Sequence, residues 1–368
     1  MSEPSDSEWS IVLGLLPRGW EEAARQHGAF SRARYTADPA SLLRLLLFHA
    51  VNDGGLRETV TQARAAGIAT MSPVALLKRV RRSGDWLAWL GAELCRPLRE
   101  EPRVPQGLRL RVVDSTTVQG PAATTTGWRL HFVLDLLTLS CDWYELTDRF
   151  VGESLARVPV QPGDVLLGDR NYLRTEGARA VGDAGGHLLV RLRWTHPTMH
   201  TAQGDVFRVV EHVAGLAVGE VHSWPTHLRV PATSPVSGRV IATRLPAPLA
   251  ERAVRKATRA SAKKGKHPDP RSLLAAQFVM VFTTLPATQL DDRSVLELYR
   301  YRWQVELAFK RLKQLLAIGH LPHKDPRCAR GWILAKLVVA LLLETLYRNA
   351  TTFSPWGFRL VAPPPSSS

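Results

Sequence analysis

The region from about residue 107 to 193 constrains the fold more than any other part of the chain. Three of its segments alternate apolar and polar residues and are joined by short links: 108–114, 128–135 and 143–147. Such alternation predicts an antiparallel meander. A short apolar strand at 163–169, a helix at 173–183 and a strand at 187–194 follow. The apolar strand is of the kind buried inside a sheet with helices on both faces, so the region predicts an α/β fold with a mixed sheet.

Residues 1 to about 100 have helical patterns and no strand pattern. Amphipathic segments at 41–50 and 56–66 precede a helix that begins with Ser72 as N-cap and a proline at its first position. Two short helices followed by a basic one resemble a helix-turn-helix DNA reader, in which Lys78 and Arg79 would contact DNA. A plain helical bundle fits the same loose spacing about as well.

The region 195–285 carries only weak strand signals. They lie at 206–210, 227–230, 239–244 and 278–283. Eight cations against the single acid Asp269 occupy 252–271, among them Arg255, Lys256, Lys263 and Lys264. This run is either a solvated loop or a contact surface for a phosphate backbone. Farther along, 331–347 predicts an apolar core helix, and the Pro and Ser tail at 351–368 predicts disorder.

Charge and composition narrow the classes of function. The 368 residues carry a formal net charge of +15, which favours a polyanionic partner, most often nucleic acid. The apolar run 337–343 is far shorter than the roughly 20 residues of a membrane span, so we expect no membrane partner. Three widely spaced cysteines suggest neither a disulfide framework nor a zinc site. The absence of a glycine-rich phosphate loop argues against consumption of ATP.

A segment near residue 300 places four polar residues on one face of a predicted helix. Its apolar residues recur at helical intervals, and Tyr299, Arg302, Glu306 and Lys313 project within about 60° of one another at roughly 100° per residue. The face is either a solvated stripe with helical ion pairs or part of an active site. Glu306 is the only acid among five basic residues in the segment, so ion pairing alone explains the set poorly.

Two aspartates follow apolar strand residues. Asp114 comes after Val112-Val113 and Asp169 after Leu166-Leu167-Gly168, and the carboxyl ends of strands are where open α/β sheets bind ligands. Either aspartate alone could simply begin a turn. Together with Glu306 they would supply the hard oxygen ligands that Mg²⁺ or Mn²⁺ prefers. Two such ions can activate an attacking oxygen and stabilise a leaving oxygen in phosphodiester chemistry.

These motifs resemble a known family. The spacing Tyr299, Arg302, Glu306, Lys313 is that of the Y-(2)-R-(3)-E-(6)-K signature of DDE transposases from insertion sequences of the IS-four type. The segments 113–116 and 168–172 are similar to the first and second aspartate motifs of that family. Asn171 departs from the pattern, because members often have glycine at this position.

The resemblance implies a division of the chain into four parts. It implies a ribonuclease-H-like catalytic core at 104–194 and 286–350, interrupted by a β-rich insertion at 195–285. The first part, residues 1–103, would be a helical DNA-binding region, and 351–368 would be the disordered tail.

The resemblance also implies roles for the site residues. Asp114, Asp169 and Glu306 would be the catalytic acids and would bind two Mg²⁺ or Mn²⁺ ions. Tyr299, Arg302 and Lys313 would contact DNA backbone at the transposon end. Trp303 or, less directly, Trp194 could stack on an unpaired base, although either could also be a packing residue.

The expected function is a DNA transposase that acts in the cytoplasm of a prokaryote. Its partners would be double-stranded DNA with terminal inverted repeats, target DNA and a second copy of the chain when two ends are paired. Two alternatives stay open. One is a catalytically silent DNA-binding regulator, and the other is a ribonuclease-H-like nuclease without strand transfer.

Overall fold

A nine-stranded mixed sheet is the centre of the computed structural model, which describes residues 4–31, 36–52, 54–100, 107–119, 127–229, 234–303, 321–323 and 325–351. In chain order the strands are β1 Arg109–Gln119, β2 Gly127–Asp135, β3 Ser140–Asp148, β4 Asp164–Gly168, β5 His187–Arg191, β6 Met199–His200, β7 Val221–Leu228, β8 Val236–Arg244 and β9 Phe278–Thr283. They lie in the order β3-β2-β1-β4-β5-β9-β8-β7-β6.

The first five strands confirm the predicted mixed sheet. β1, β2 and β3 form an antiparallel meander, and β4 lies parallel to both β1 and β5. One boundary prediction was wrong: β1 does not end at Asp114 but continues to Gln119. The extra length is paired with β2 alone, because the pairing with β4 covers only Arg109 to Val112. Asp114 therefore lies in the middle of β1 but beyond the end of its parallel pairing.

The region between residues 195 and 285 extends the same sheet. β9 pairs with β5 and β8 with β9, so the weak strand signals at 227–230, 239–244 and 278–283 are confirmed as parts of β7, β8 and β9. The predicted strand at 206–210 was wrong, since 209–213 is a helix that buries three valines. Residues 252–262 of the cationic run belong to a helix, so the predicted solvated loop is wrong there, although the cations of the run are exposed to solvent.

Twelve helices are present in the described residues, and most of them surround the sheet. They are α1 Pro4–Gly14, α2 Trp20–Gln26, α3 Pro39–Val51, α4 Leu56–Ala65, α5 Pro73–Arg82, α6 Gly84–Glu100, α7 Thr175–Asp183, α8 Val209–Val213, α9 Ala247–Ala262, α10 Pro270–Ala275, α11 Asp292–Arg300 and α12 Pro326–Thr351. The predicted N-terminal helices are confirmed. Ser72 caps α5 by accepting a hydrogen bond from the Ala75 backbone N–H at 3.2 Å.

Two hydrophobic cores cover the two faces of the sheet. The larger joins α2 to α6 and α12 to the face that bears Val112 and Leu167. The smaller packs α7, α8 and α10 on the face that bears Val113 and Leu166. The N-terminal helices thus share a core with the sheet instead of forming an isolated unit. At Gly331 on α12 a side chain would come within 2.4 Å of a carbonyl oxygen of α5, so glycine permits the close approach of these helices.

No helix in the described ranges is long and apolar enough to cross a membrane. The predicted apolar core helix at 331–347 is confirmed within α12. Residues 352–368 of the predicted tail lie outside the described residues.

A network of buried ion pairs fastens the central strands together beneath the smaller core. Arg111 on β1 donates to Asp142 on β3 at 2.7 Å and to Asp164 on β4 at 3.0 Å. Arg109 donates to Asp142 at 2.8 Å and to Asp135 at 3.1 Å. Asp142 and Asp164 are fully enclosed, so each charge depends on its partner for the solvation it has lost.

We predict that Asp142→Asn lowers the free energy of unfolding by about 3 to 5 kcal/mol, because it leaves two buried guanidinium groups without a full counter-charge. Urea denaturation measures the effect. The matched control is Asp183→Asn, which breaks the exposed pair of Asp183 with Arg179 and should cost less than about 0.5 kcal/mol. Equal losses in the two variants would contradict a structural role for the buried network.

Candidate active site

The β1–β4 pairing brings the two predicted aspartates together. The parallel pairing ends at Val112 and Leu167, and Asp114 and Asp169 each lie two residues beyond it, close enough for the charge of Asp169 to raise the pKa of Asp114. Side chains alternate across a strand, which puts Asp114 on the face of Val112. That face is covered by the core that also contains Tyr299 of α11. The structure thus gathers Asp114, Asp169 and the end of α11 at one edge of the sheet.

The electrostatics of Asp114 confirm how close these groups are. The pKa of Asp114 is raised to about 6, chiefly by burial and to a lesser extent by the negative charges of Asp169 and Glu153. A hydrogen bond from the Ser115 backbone and the positive charge of Arg302 oppose the rise. A nearby cation would lower the free energy of ionising a carboxylate in this position.

Backbone hydrogen bonds orient both carboxylates. The Ser115 N–H donates to Oδ1 of Asp114 at 2.8 Å, and the Asn171 N–H donates to Oδ1 of Asp169 at 2.7 Å. Within the described ranges neither Oδ2 atom accepts a hydrogen bond. Two oriented carboxylates with a remaining oxygen each fit the hard-ligand preference of Mg²⁺ or Mn²⁺.

The third acid is not part of this geometry. Glu306 and Lys313 lie outside the described residues. Among the residues that are described, no group of three or more His, Cys, Asp or Glu side chains is close enough to hold a metal ion. Among the described residues the two aspartates alone do not make up a metal site, so a metal bound there would need a further ligand.

Asn171, which departs from the family pattern, has a defined place in the site. Besides its backbone bond to Asp169, its side-chain oxygen accepts a hydrogen bond from Nη2 of Arg193 at 3.0 Å. Arg193 follows β5, so Asn171 connects the loops after two neighbouring strands. A glycine could not make this side-chain contact.

The end of α11 lies beside the aspartates. Tyr299 is only 8% exposed and its hydroxyl is enclosed. Burial raises the pKa of Tyr299 to about 12, although the nearby charges of Arg302 and Arg191 lower it. Arg302 acts electrostatically on both Asp114 and Tyr299. Trp303, by contrast, is 49% exposed, so its ring is accessible to a partner.

Glu153 is a neighbour that no sequence motif selects. Its carboxylate accepts a hydrogen bond from Oγ of Ser115 at 2.8 Å and lies 3.4 Å from Arg129. Tyr172 is buried at the same place, and its pKa is raised by burial and by the charges of Asp114 and Glu153. The only usable signal was topological, since β3 runs parallel to β1 and a loop after β3 ends at the same sheet edge.

The other DNA-contact candidates lie on helices. On α5, Lys78 is exposed, whereas Arg79 is partly buried and donates to the Ala29 carbonyl at 3.5 Å. On α9 only Ala250 is buried. Arg255 and Lys256 on α9 are exposed, and so are Lys263 and Lys264, which directly follow it.

Trp194 lies in the wall of a cavity of about 850 Å³. Its indole N–H donates to Oγ of Ser272 at 3.2 Å. The guanidinium of Arg271 lies 5.0 Å from the ring centroid. One face of the indole is therefore covered, and a base could stack only on the other.

We predict that Asp114→Asn stabilises the metal-free protein at pH 7.5 by about 2 to 3 kcal/mol, because a raised carboxyl pKa makes ionisation in the folded state unfavourable. The gain should be complete above pH 6 and should fade as the pH falls from about 6 toward about 4. Urea denaturation with a chelator measures it.

Addition of Mg²⁺ should stabilise the wild-type protein and not Asp114→Asn. The control Asp205→Asn removes an exposed carboxylate and should change the stability by less than about 0.5 kcal/mol. A loss of stability in Asp114→Asn at pH 7.5 would contradict the unfavourable ionisation.

Comparison with known proteins identifies the family. Residues 105–342 match the family model described as the transposase DDE domain. The chain is 33% identical to the putative transposase InsL for insertion sequence element IS186A of Escherichia coli K12, over 95% of this chain and 97% of that protein. It is equally identical, over the same shares, to the transposase for insertion sequence element IS421 of Escherichia coli.

A more distant relative is the transposase for insertion sequence element IS231B of Bacillus thuringiensis subsp. berliner, which is 21% identical over 83% of this chain and 72% of that protein. The matched domain contains both aspartates, the end of α11 and Glu306. The match to the domain and the identity to these relatives together show that the chain belongs to the DDE transposases of insertion sequences, of the IS-four type.

Proposed function

We propose that this transposase cuts DNA at the ends of an insertion sequence and joins the exposed 3′-hydroxyl to target DNA. The observation that carries the proposal is the pair Asp114 and Asp169, held side by side with one carboxylate oxygen of each left for a metal. The strand order β3-β2-β1-β4-β5 supports a ribonuclease-H-like core, with residues 195–285 inserted as an extension of the sheet.

Different observations support the assignment of the three acids. Asp114 and Asp169 would hold the metal through their Oδ2 atoms while backbone N–H groups keep the carboxylates oriented. Glu306 would complete the ligand set, an assignment that rests on its spacing from Tyr299 and Arg302. When bound, two Mg²⁺ or Mn²⁺ ions would activate the attacking oxygen and stabilise the leaving one.

The cations near the acids would position the DNA strand. Arg302 and Lys313 would contact its phosphates, since cations suit phosphate oxygens. The enclosed hydroxyl of Tyr299 supports an indirect role, in which the ring fixes Arg302 on the helix end. The exposed ring of Trp303 is the better base-stacking candidate, because Arg271 already covers one face of Trp194.

The remaining basic surfaces would bind DNA outside the catalytic site. Lys78 and Arg79 on α5 would serve in the N-terminal helical region. Arg255 and Lys256 on α9, with Lys263 and Lys264 directly after it, would serve in the insertion. The duplex partners would be terminal inverted repeats and target DNA, with a second copy of the chain when two ends are paired. The reaction would take place in the cytoplasm of a prokaryote.

The two alternatives differ in their products. A silent DNA-binding regulator would have no use for two oriented carboxylates that are costly to ionise, so the geometry of Asp114 and Asp169 favours an enzyme. A nuclease without strand transfer would use the same acids. Joined products in a reaction with labelled end duplex and target plasmid separate it from a transposase.

We predict that Asp114→Ala, Asp169→Ala and Glu306→Ala each reduce cleavage of an end-containing duplex more than about 100-fold, because even the partners that orient a metal ligand typically contribute 10- to 100-fold. Binding of the same duplex should be unchanged or tighter, since each variant removes a negative charge.

The control Asp183→Ala removes an exposed carboxylate of α7 and should cleave normally. A gel assay with Mg²⁺ measures cleavage, and fluorescence anisotropy measures binding. Cleavage retained in all three active-site variants would contradict the catalytic assignment.

We also predict that replacing Arg255, Lys256, Lys263 and Lys264 together by Ala weakens DNA binding and reduces its salt dependence. The slope of log K against log salt concentration should fall by up to about 3 to 4, because each neutralised phosphate contributes roughly 0.9. Anisotropy titrations between about 50 and 300 mM KCl measure the slope. An unchanged slope would show that the α9 surface does not contact phosphates.

A further inference from the structure

We infer that a basic pocket beside Asp169 binds a backbone phosphate of the DNA strand that is cut. The pocket has a volume of about 390 Å³ and is lined by Arg170, Arg174, Arg193, His196 and Asn171, among others. The inference rests on the proposed function, because it names a binding subsite for the same substrate.

The topology explains why these residues converge. Arg170 and Arg174 lie in the loop after β4, and Arg193 and His196 lie in the loop after β5. β4 and β5 are parallel neighbours, so both loops leave the sheet at the same edge. This carboxyl edge is where α/β sheets bind their ligands. Arg193 donates to the Asn171 side chain at 3.0 Å, and this bond joins the two loops.

The charges of the pocket are not balanced. Many surface arginines of this chain pair with a carboxylate, for example Arg25 with Glu22 and Arg179 with Asp183. Throughout the described ranges, Arg170, Arg174 and Arg193 form no salt bridge. The lining of the pocket contains no acid either. Three guanidinium groups around one concavity repel each other, and an anion would relieve that repulsion.

The position of the pocket indicates which anion it would bind. Arg170 adjoins Asp169 in the chain, and consecutive Cα atoms are only about 3.8 Å apart. A phosphate in the pocket would therefore lie within a few nucleotides of the bond at the catalytic acids. Arginine suits this ligand, since its planar guanidinium group can donate hydrogen bonds to two phosphate oxygens at once. The carboxylates lie toward β1 and the arginines toward β5, so a strand crossing the edge would meet both in turn.

The test combines substitutions of the pocket arginines with the neutralisation of single DNA phosphates and measures the affinity of each combination. The probe is a fluorescein-labelled duplex that spans one end of the element, and the wild-type protein first maps its cleavage position. Single phosphates within about three nucleotides of the cut are then replaced by neutral methylphosphonates. Affinities of the full-length wild-type protein and of Arg174→Gln/Arg193→Gln are measured in a chelator, so that no cleavage occurs.

We expect the pocket variant to bind the unmodified duplex about tenfold more weakly than the wild-type protein. One methylphosphonate position should weaken wild-type binding by a similar factor and leave binding by the variant unchanged. The single variant Arg170→Gln, at an exposed position, should show the same loss of sensitivity to a smaller degree. The control Arg25→Gln/Arg179→Gln removes two charges elsewhere and should respond to methylphosphonates as the wild-type protein does.

The inference is overturned if the pocket variants bind the unmodified duplex as tightly as the control does. It is also overturned if every methylphosphonate weakens binding by the pocket variants as much as it weakens binding by the wild-type protein. These outcomes are distinct from failure of the proposed function, in which the wild-type protein itself would neither bind nor cut the end duplex.

Discussion

The parallel pairing of β1 with β4 is the constraint on which the rest of the structure depends. It brings Asp114 on β1 close to Asp169, which directly follows β4, and the buried ion pair of Arg111 with Asp164 joins the same two strands. Because side chains alternate along β1, Arg109 and Arg111 of the ion network lie on the face opposite to Asp114, one of the proposed catalytic carboxylates. A shift of one residue along β1 would exchange the residues on its two faces, so the buried ion network and the proposed site both depend on the same alignment.

The same alignment has an electrostatic cost. Burial together with the charges of Asp169 and Glu153 makes the ionised form of Asp114 unfavourable. Arg302 offsets part of this cost from the end of α11. In a protein with a net charge of +15, acids gathered at one sheet edge beside unpaired arginines form a site with two signs of charge. A metal suits the acidic side of such a site and a phosphate backbone suits the basic side.

Most of the architecture could be predicted from local patterns. Alternation predicted β1 to β3, the apolar run predicted β4, and capping residues predicted α5. The failures came where tertiary contacts decided the outcome. β1 extends beyond its predicted end because β2 pairs with the additional residues. The predicted strand near residue 210 is a helix because three valines there pack into the smaller core. The shared core of the N-terminal helices and the sheet has no local sequence signal at all.

The site was predictable to a similar extent. Asp114, Asp169 and Arg302 followed from motif spacing, and the structure brings them together. Glu153 and the arginines of the basic pocket did not, because loops after parallel strands converge only in three dimensions. The sequence already favoured Trp303 over Trp194 as a stacking residue, and the exposure of Trp303 and the covered face of Trp194 support that order.

The central claim is that Asp114, Asp169 and Glu306 hold one metal site, and iron-dependent cleavage of the protein tests it most directly. Fe²⁺ bound in place of Mg²⁺, with ascorbate and peroxide, generates hydroxyl radicals that cut the polypeptide near the metal ligands. Mass spectrometry of the fragments should find cuts near all three residues, suppressed by excess Mg²⁺. Cuts near Asp114 and Asp169 without any near Glu306, or none at these positions, would contradict the claim.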